Sequence, residues 1–96
     1  MLIYAGDVDF ICNWMGNKAW TQELPWSGKT AFEAEPDTTW SYDNIAGGMA
    51  RTAAAAKGEG SLTFLQVYEA GHMVPLDQPA AALSMLNTFL ENKAFY

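Results

Sequence analysis

Leu2-Ile3-Tyr4-Ala5-Gly6-Asp7-Val8-Asp9 opens the chain with a short apolar run that stops at a glycine and two acids. Consecutive apolar residues without alternation suit a strand covered on both faces, as in a parallel sheet. The acids then fall in a polar loop at the carboxyl end of that strand. Leu62 to Tyr68 (Leu-Thr-Phe-Leu-Gln-Val-Tyr) is a second strand candidate, rich in β-branched and aromatic residues. It runs into another loop, Glu69-Ala70-Gly71-His72-Met73-Val74-Pro75. Two strand-then-loop units of this kind predict an α/β arrangement. In open α/β sheets the chemistry gathers at the carboxyl ends of the strands, where both loops lie.

Between and beyond these units the reading is less uniform. Trp14, Ala19, Trp20 and Leu24 recur at helical spacing, which predicts a helix over Asn13 to Leu24, weakened by Gly16 and ended by Pro25. Trp26 to Asp43 is rich in Gly, Ser, Thr, Pro and acids and is expected to form an irregular surface excursion. Ile45 to Ala56 reads two ways, since Ala53 to Ala56 favours helix and Gly47-Gly48 opposes it. A strand over Ile45 to Thr52 is expected, forming a hairpin with the second strand candidate across the turn Lys57-Gly58-Glu59-Gly60. Asp77 is expected to cap a closing helix with Pro79 in its first turn. Ala81, Ala82, Met85, Leu86, Phe89 and Leu90 make one apolar stripe along that helix.

Composition narrows the function classes. The chain has 96 residues, half of them apolar and 14% aromatic, which is ordinary globular composition. A domain this small is marginal without a staple. The single Cys leaves no internal disulfide, and one His with one Cys argues against a structural zinc site. The net charge is −6, and the five basic residues, Lys18, Lys29, Arg51, Lys57 and Lys93, are scattered singly, so no nucleic-acid-binding face is expected. No apolar run reaches the roughly 18–20 residues that cross a bilayer, so no membrane partner is expected either. The first residues lack the basic and long apolar regions of a signal peptide. A sequence that begins inside a strand is expected to be a piece of a longer chain.

Three side chains are candidates for chemistry. A lone His is more often a surface or hydrogen-bonded structural residue. His72 differs by following a strand directly, after Gly71 and before the stiff Met73-Val74-Pro75, which suits a base held in place. Asp7 and Asp9 have several readings. They are solvated turn residues, or a carboxylate pair of the glycosidase type, or metal ligands, for which this loop offers too few donors. Alternatively one of them orients a histidine, the acid's role in a Ser–His–Asp triad. α/β-Hydrolases place the triad in the chain order Ser, Asp, His, each after a strand. Asp9 and His72 follow successive strand candidates in that order.

Two long motifs turn this pattern into a family resemblance. Leu2-Ile3-Tyr4-Ala5-Gly6-Asp7-Val8-Asp9-Phe10-Ile11-Cys12-Asn13-Trp14-Met15-Gly16-Asn17-Lys18-Ala19-Trp20 resembles the acid segment of the serine carboxypeptidases, especially the carboxypeptidase Y branch. Glu69-Ala70-Gly71-His72-Met73-Val74-Pro75-Leu76-Asp77-Gln78-Pro79 resembles their histidine segment, and Ala82 to Asn87 their closing helix. Nothing is carried over for Ser27 to Ala56. The resemblance implies that residues 1–96 are the C-terminal part of an α/β-hydrolase fold, a partial domain with an incomplete sheet. It implies that Asp9 is the triad acid and His72 the base, with Asp7 shaping the loop. Cys12 is similar to a free thiol that lines the substrate pocket in this branch, its alternative being a small buried hydrophobe. Met73 would border the pocket for the leaving residue, its alternative being core filling.

The implied activity is release of C-terminal amino acids from peptides or proteins, with no metal and no cofactor. Ser27, Ser41, Ser61 and Ser84 stand in no Gly-x-Ser-x-Gly elbow. The nucleophile is therefore expected from an upstream part of the same polypeptide, and the isolated segment is expected to be inactive. The resemblance also implies a vacuolar, lysosomal or extracellular setting. An acyltransferase or hydroxynitrile lyase on the same scaffold would keep the triad and change the pocket. A non-enzymatic small domain with a structural His is the other alternative.

Overall fold

The computed structural model describes residues 1–96. In chain order the elements are β1 (Leu2–Gly6), α1 (Trp14–Glu23), α2 (Lys29–Ala34), β2 (Thr38–Tyr42), β3 (Ile45–Ala54), β4 (Ser61–Val67), α3 (Val74–Asp77) and α4 (Pro79–Leu90). The four strands form one sheet in the order β1-β4-β3-β2. β1 lies parallel to β4, with Leu2 opposite Thr63 and Gly6 opposite Val67. β3 is antiparallel to both β4 and β2. The protein is thus a mixed α/β structure, with β1 entering the sheet beside the last strand.

β4 explains why its sequence reads as a fully buried run. Leu65 and Val67 face one cluster, with Trp40, Ala50, Val74, Ala81, Ala82, Met85 and Phe95. Leu62 and Phe64 face the opposite cluster, with Phe32 and Ala53, against which Trp14, Leu24 and Trp26 pack. Successive strand residues point to opposite faces, so helices on both sides bury Leu62 and Phe64 on one face and Leu65 and Val67 on the other. α4 covers one face and α1 with α2 the other. The predicted α1 is confirmed. Asn13 is its N-cap, its side-chain oxygen accepting from the Gly16 N–H at 2.8 Å, and Leu24 ends it before Pro25.

The stretch from Trp26 to Asp43 corrects the sequence expectation. It is not an irregular excursion but contains a two-turn helix and an edge strand. Phe32 and Trp40, 0% and 2% exposed, anchor them on opposite faces of the sheet. Asp43 and Asn44, with φ of 48° and 62°, then reverse the chain. Positive φ at both central residues marks the two-residue hairpin turn whose twist matches the flanking strands. The β3–β4 hairpin holds as expected, and β3 reaches Ala54, so the alanine run is strand at its start rather than helix. Gly47 and Gly48 do not break β3. A Cβ on Gly48 would lie 1.8 Å from the Gln66 carbonyl oxygen, and one on Gly47 would strike the Trp40 and Tyr42 rings. Gly47 is also the extra residue of a bulge, since Trp40 pairs with Gly48 while Ser41 pairs with Ala46.

Arg51 ties the α1–α2 side together. It is 8% exposed, donates from Nε to Asp37 at 3.0 Å, from Nη1 to the Phe32 carbonyl at 3.3 Å, and lies 5.7 Å from the Phe32 ring centre. Lys18 of α1 pairs with the same carboxylate. Burial opposes ionisation of Asp37, but Lys18 and Arg51 outweigh it and hold its carboxyl below the ordinary value.

At the C-terminal end two further expectations change. Asp77 does not cap the closing helix. It ends α3, and Gln78 precedes α4 without a side-chain cap. The apolar stripe is only half used: Ala81, Ala82 and Met85 are buried, whereas Leu86, Phe89 and Leu90 are 48%, 42% and 69% exposed. No helix is long and apolar enough to cross a membrane.

Candidate active site

The parallel pairing of β1 with β4 decides where the site forms. Gly6 and Val67 stand opposite each other at the carboxyl ends of the two strands, so the loops after them leave side by side. Backbone bonds then lace the loops together. The Asp7 N–H donates to the Val67 carbonyl at 2.9 Å and the Val8 N–H to the Ala70 carbonyl at 3.1 Å. Gly6 permits this approach, because a Cβ there would lie 2.1 Å from the Ala70 oxygen. Glu69 adopts a left-handed φ of 53° to turn the chain out of β4, and its carbonyl accepts from Gln78 Nε2 at 3.2 Å.

Across this junction His72 Nδ1 lies 3.0 Å from Asp9 Oδ2. An ionised carboxylate only accepts, so the shared proton belongs on Nδ1 and Nε2 is left as the free lone pair of the neutral ring. The two partners are unequally exposed, 66% for the His72 side chain and 6% for that of Asp9. Asp9 is held from behind by the Cys12 N–H, which donates to Oδ1 at 3.0 Å. That backbone bond lowers the Asp9 carboxyl below its usual range more than any other influence. Burial opposes the effect, and the hydrogen bond and charge of His72 add to it. The carboxylate therefore stays ionised while touching the imidazole.

Cys12 sits between this acid and the start of α1, exposed, with its thiol facing the same cleft. Asn17 fixes its backbone: Nδ2 donates to the Cys12 carbonyl at 3.0 Å and to the Asn13 carbonyl at 3.1 Å. Trp20 Nε1 in turn donates to Asn17 Oδ1 at 2.9 Å. Together Asp9, Cys12, His72, Asn17, Tyr4 and Val74 line a cleft of about 290 Å³. A second cleft of about 300 Å³, between Thr52 and the C-terminal residues Phe95 and Tyr96, shares no residue with it.

The structure thus gathers Asp9, Cys12 and His72. It does not bring Met73 into the cleft, whose lining passes from His72 to Val74. Met73 is 60% exposed at the start of α3, so it does not fill the core. Asp7 lies beside the cleft with one carboxylate oxygen buried and unbonded. Sequence reasoning gave Asn17 no role and read Asp77 only as a helix cap. Asn17 carries a legible signal, standing four residues after Asn13 and so on the same face of the helix. Asp77 accepts from the Gly71 N–H at 2.7 Å and holds the residue before His72. Its place six residues later, at the end of the four-residue α3, gives no periodic cue.

Comparison with known proteins matches the chain to one family. The serine carboxypeptidase family model covers residues 1–92, and the chain belongs to that family. It is 47% identical over 93 residues to serine carboxypeptidase-like 48 of Arabidopsis thaliana, a match spanning 97% of this chain and 17% of that protein. It is 47% identical over 95 residues to the carboxypeptidase Y homolog A of Chaetomium globosum, covering 99% of this chain and 16% of the relative. The carboxypeptidase Y homolog A of Uncinocarpus reesii is 50% identical over 91 residues, covering 94% and 16%. The chain therefore spans only 16–17% of the length of these relatives.

Proposed function

We propose that the protein acts in a serine carboxypeptidase that releases C-terminal amino acids from peptides, with Asp9 as the acid and His72 as the base of a Ser–His–Asp triad. The observation that carries this reading is the 3.0 Å contact between His72 Nδ1 and Asp9 Oδ2 at paired strand ends. Family membership over residues 1–92 supports the same chemistry.

In this reading an upstream part of the same polypeptide supplies the serine. Its Oγ attacks the carbonyl of the last peptide bond while His72 Nε2 takes the hydroxyl proton. The proton passes to the departing amino group as the bond breaks, leaving an acyl-enzyme. Water, deprotonated by the same nitrogen, releases the peptide and restores the serine. Asp9 keeps the proton on Nδ1 and stabilises the imidazolium that forms in each half-reaction. Cys12 lines the substrate side of the cleft, and Met73 meets the leaving residue from its exposed position.

Residues 1–96 are read as the C-terminal part of an α/β-hydrolase domain. Val8, Phe10 and Ile11 beside the cleft are 68%, 94% and 85% exposed, and such a patch of large apolar side chains fits a surface covered by the rest of the fold. A vacuolar, lysosomal or extracellular setting accompanies the reading.

The test is turnover of an N-blocked dipeptide by the intact protein. Release of the C-terminal amino acid, lost in His72→Ala, is the expected result. An intact protein that leaves the dipeptide uncleaved under acidic and neutral conditions overturns the proposal.

A further inference from the structure

α1 carries one side chain whose amide is engaged at both ends. Asn17 stands four residues after the N-cap Asn13 and three before Trp20, so the three share a helix face. Its Nδ2 donates to the Cys12 carbonyl at 3.0 Å and to the Asn13 carbonyl at 3.1 Å, and its Oδ1 accepts from Trp20 Nε1 at 2.9 Å. Only this orientation of the amide fits, because an indole N–H only donates and a carbonyl only accepts. We propose that Asn17 is a positioning residue for the acid of the proposed triad. It holds the Cys12 main chain in the conformation that presents an N–H to Asp9, and Asp9 in turn holds His72.

The Cys12 carbonyl needs such a donor. It lies ahead of the helix, and the Gly16 N–H four residues on is taken by the Asn13 side chain at 2.8 Å. No backbone N–H donates to it. Cys12 is therefore pinned at both of its main-chain polar groups, the carbonyl by Asn17 and the N–H by Asp9 Oδ1 at 3.0 Å. The side chain of Cys12 takes no part. Four hydrogen bonds of 2.9 to 3.0 Å thus run in series from Trp20 through Asn17, the Cys12 main chain and Asp9 to His72. The Cys12 N–H is also the foremost influence holding the Asp9 carboxyl below its ordinary value. What fixes Cys12 therefore fixes the charge of the acid as well as its place. Asn17 borders the cleft, but both of its N–H groups are spent on main-chain carbonyls, so it has no donor left for a substrate.

Without the amide, the peptide after Cys12 is free to turn. Cys12 is exposed, so water replaces the lost bond and the fold persists while the geometry at Asp9 loosens. A misplacement of about 1 Å in a catalytic constellation costs on the order of 10² in rate. The positional claim stands on the hydrogen-bond series, and only its kinetic consequence rests on the peptidase reading.

The intact protein is compared with Asn17→Ala, Asn17→Leu and Trp20→Phe in turnover of an N-blocked dipeptide and in the far-downfield proton NMR spectrum, where the Nδ1 proton shared by His72 and Asp9 resonates. Circular dichroism verifies that the variants fold. Asn17→Ala should lower kcat by about ten- to a hundredfold with KM little changed, the pattern of an interaction felt in the transition state. Asn17→Leu, similar in size but without a donor, should lose as much. Trp20→Phe leaves both donors in place and should lose less. The downfield resonance should weaken in both Asn17 variants. Independent sites multiply their losses to within about twofold. Asn17→Ala added to Asp9→Asn should instead cost no more than about twofold further, because the carboxylate it positions is gone. Parent-like kcat in Asn17→Leu, losses that multiply in the double variant, or a resonance that is absent from the parent or unchanged in Asn17→Ala overturns the proposal. A parent that cleaves no dipeptide sinks the peptidase reading, and the resonance alone then decides the positioning of Asp9.

Discussion

Gly6 at the end of β1 abuts Ala70 in the His72 loop so closely that a methyl group on Gly6 would lie 2.1 Å from the Ala70 carbonyl oxygen. Backbone atoms cannot swing aside as a side chain can. Gly6→Ala should therefore push the two loops apart and break the Val8–Ala70 hydrogen bond. Overpacking of this kind costs about 1–3 kcal/mol. A lower denaturant midpoint in the intact protein, with turnover reduced in the folded fraction, is the expected outcome.

The two acids of the first loop should behave differently. Asp9→Asn leaves an amide that favours the wrong imidazole tautomer, and a loss of about 10⁴ in kcat is expected, as in other triads. Asp7→Asn keeps the loop nearly isosteric and touches no imidazole, so its kcat should stay within about tenfold of the parent. Steady-state kinetics on both variants checks the assignment, and the reverse ranking would mean that Asp7 is the acid.

His72→Ala removes the base altogether. Loss of kcat on the order of 10⁶-fold is expected, with the melting temperature little changed because the ring is exposed. Combining it with Asp9→Asn should cost scarcely more than His72→Ala alone, because the two side chains act as a unit.

Asp77 positions the residue before the base, accepting the Gly71 N–H at 2.7 Å. Asp77→Ala should lower kcat by about ten- to a hundredfold through misplacement of His72. Asp77→Asn, which can still accept through its amide oxygen, should recover most of the loss. A purely structural role would lower stability without this recovery in kcat, so rates and denaturation curves are read together.

The cluster around Asp37 makes a pH prediction. Its folded-state carboxyl lies below the ordinary value of 3.8. The stabilisation is therefore fully present above 3.8 and disappears as pH falls from there through the folded-state value. Asp37→Asn should be less stable than the parent near neutrality, and the gap should close progressively below pH 3.8. Urea denaturation at a series of pH values measures it.

These relationships were unequally visible in the linear chain. β1, α1, the hairpin and β4 were legible because each carries one clear period or an unbroken apolar run between punctuating residues. β2 escaped because Thr38-Thr39-Trp40-Ser41-Tyr42 lies among Pro, Asp and Ser, and only Trp40 is fully buried. Its signal was the turn: Asp43-Asn44, two residues that tolerate left-handed φ, stands between two aromatic or apolar runs. α2 is only six residues long, too short for amphipathic periodicity, and Phe32 is its one buried residue. The Asp77 expectation failed because a carboxylate suits both a helix cap and a loop brace, and the choice depends on Gly71, whose proximity only the fold creates. Asp9 and His72 could be nominated from strand-end positions, but their contact depends on β1 lying parallel beside β4, a pairing of Leu2–Gly6 with Thr63–Val67 that is remote in sequence.

That pairing has a consequence for how the protein tolerates change. The separation of acid and base is fixed by one local register, Gly6 opposite Val67, and not by the length of chain between them. The turn at Lys57–Gly60 closes the β3–β4 hairpin at the far end of the sheet, where β4 begins. Extra residues grafted there lengthen a surface protrusion and leave both loops where they are. That turn is thus a place where new recognition elements or a reporter can be built in without retuning the proton-transfer machinery.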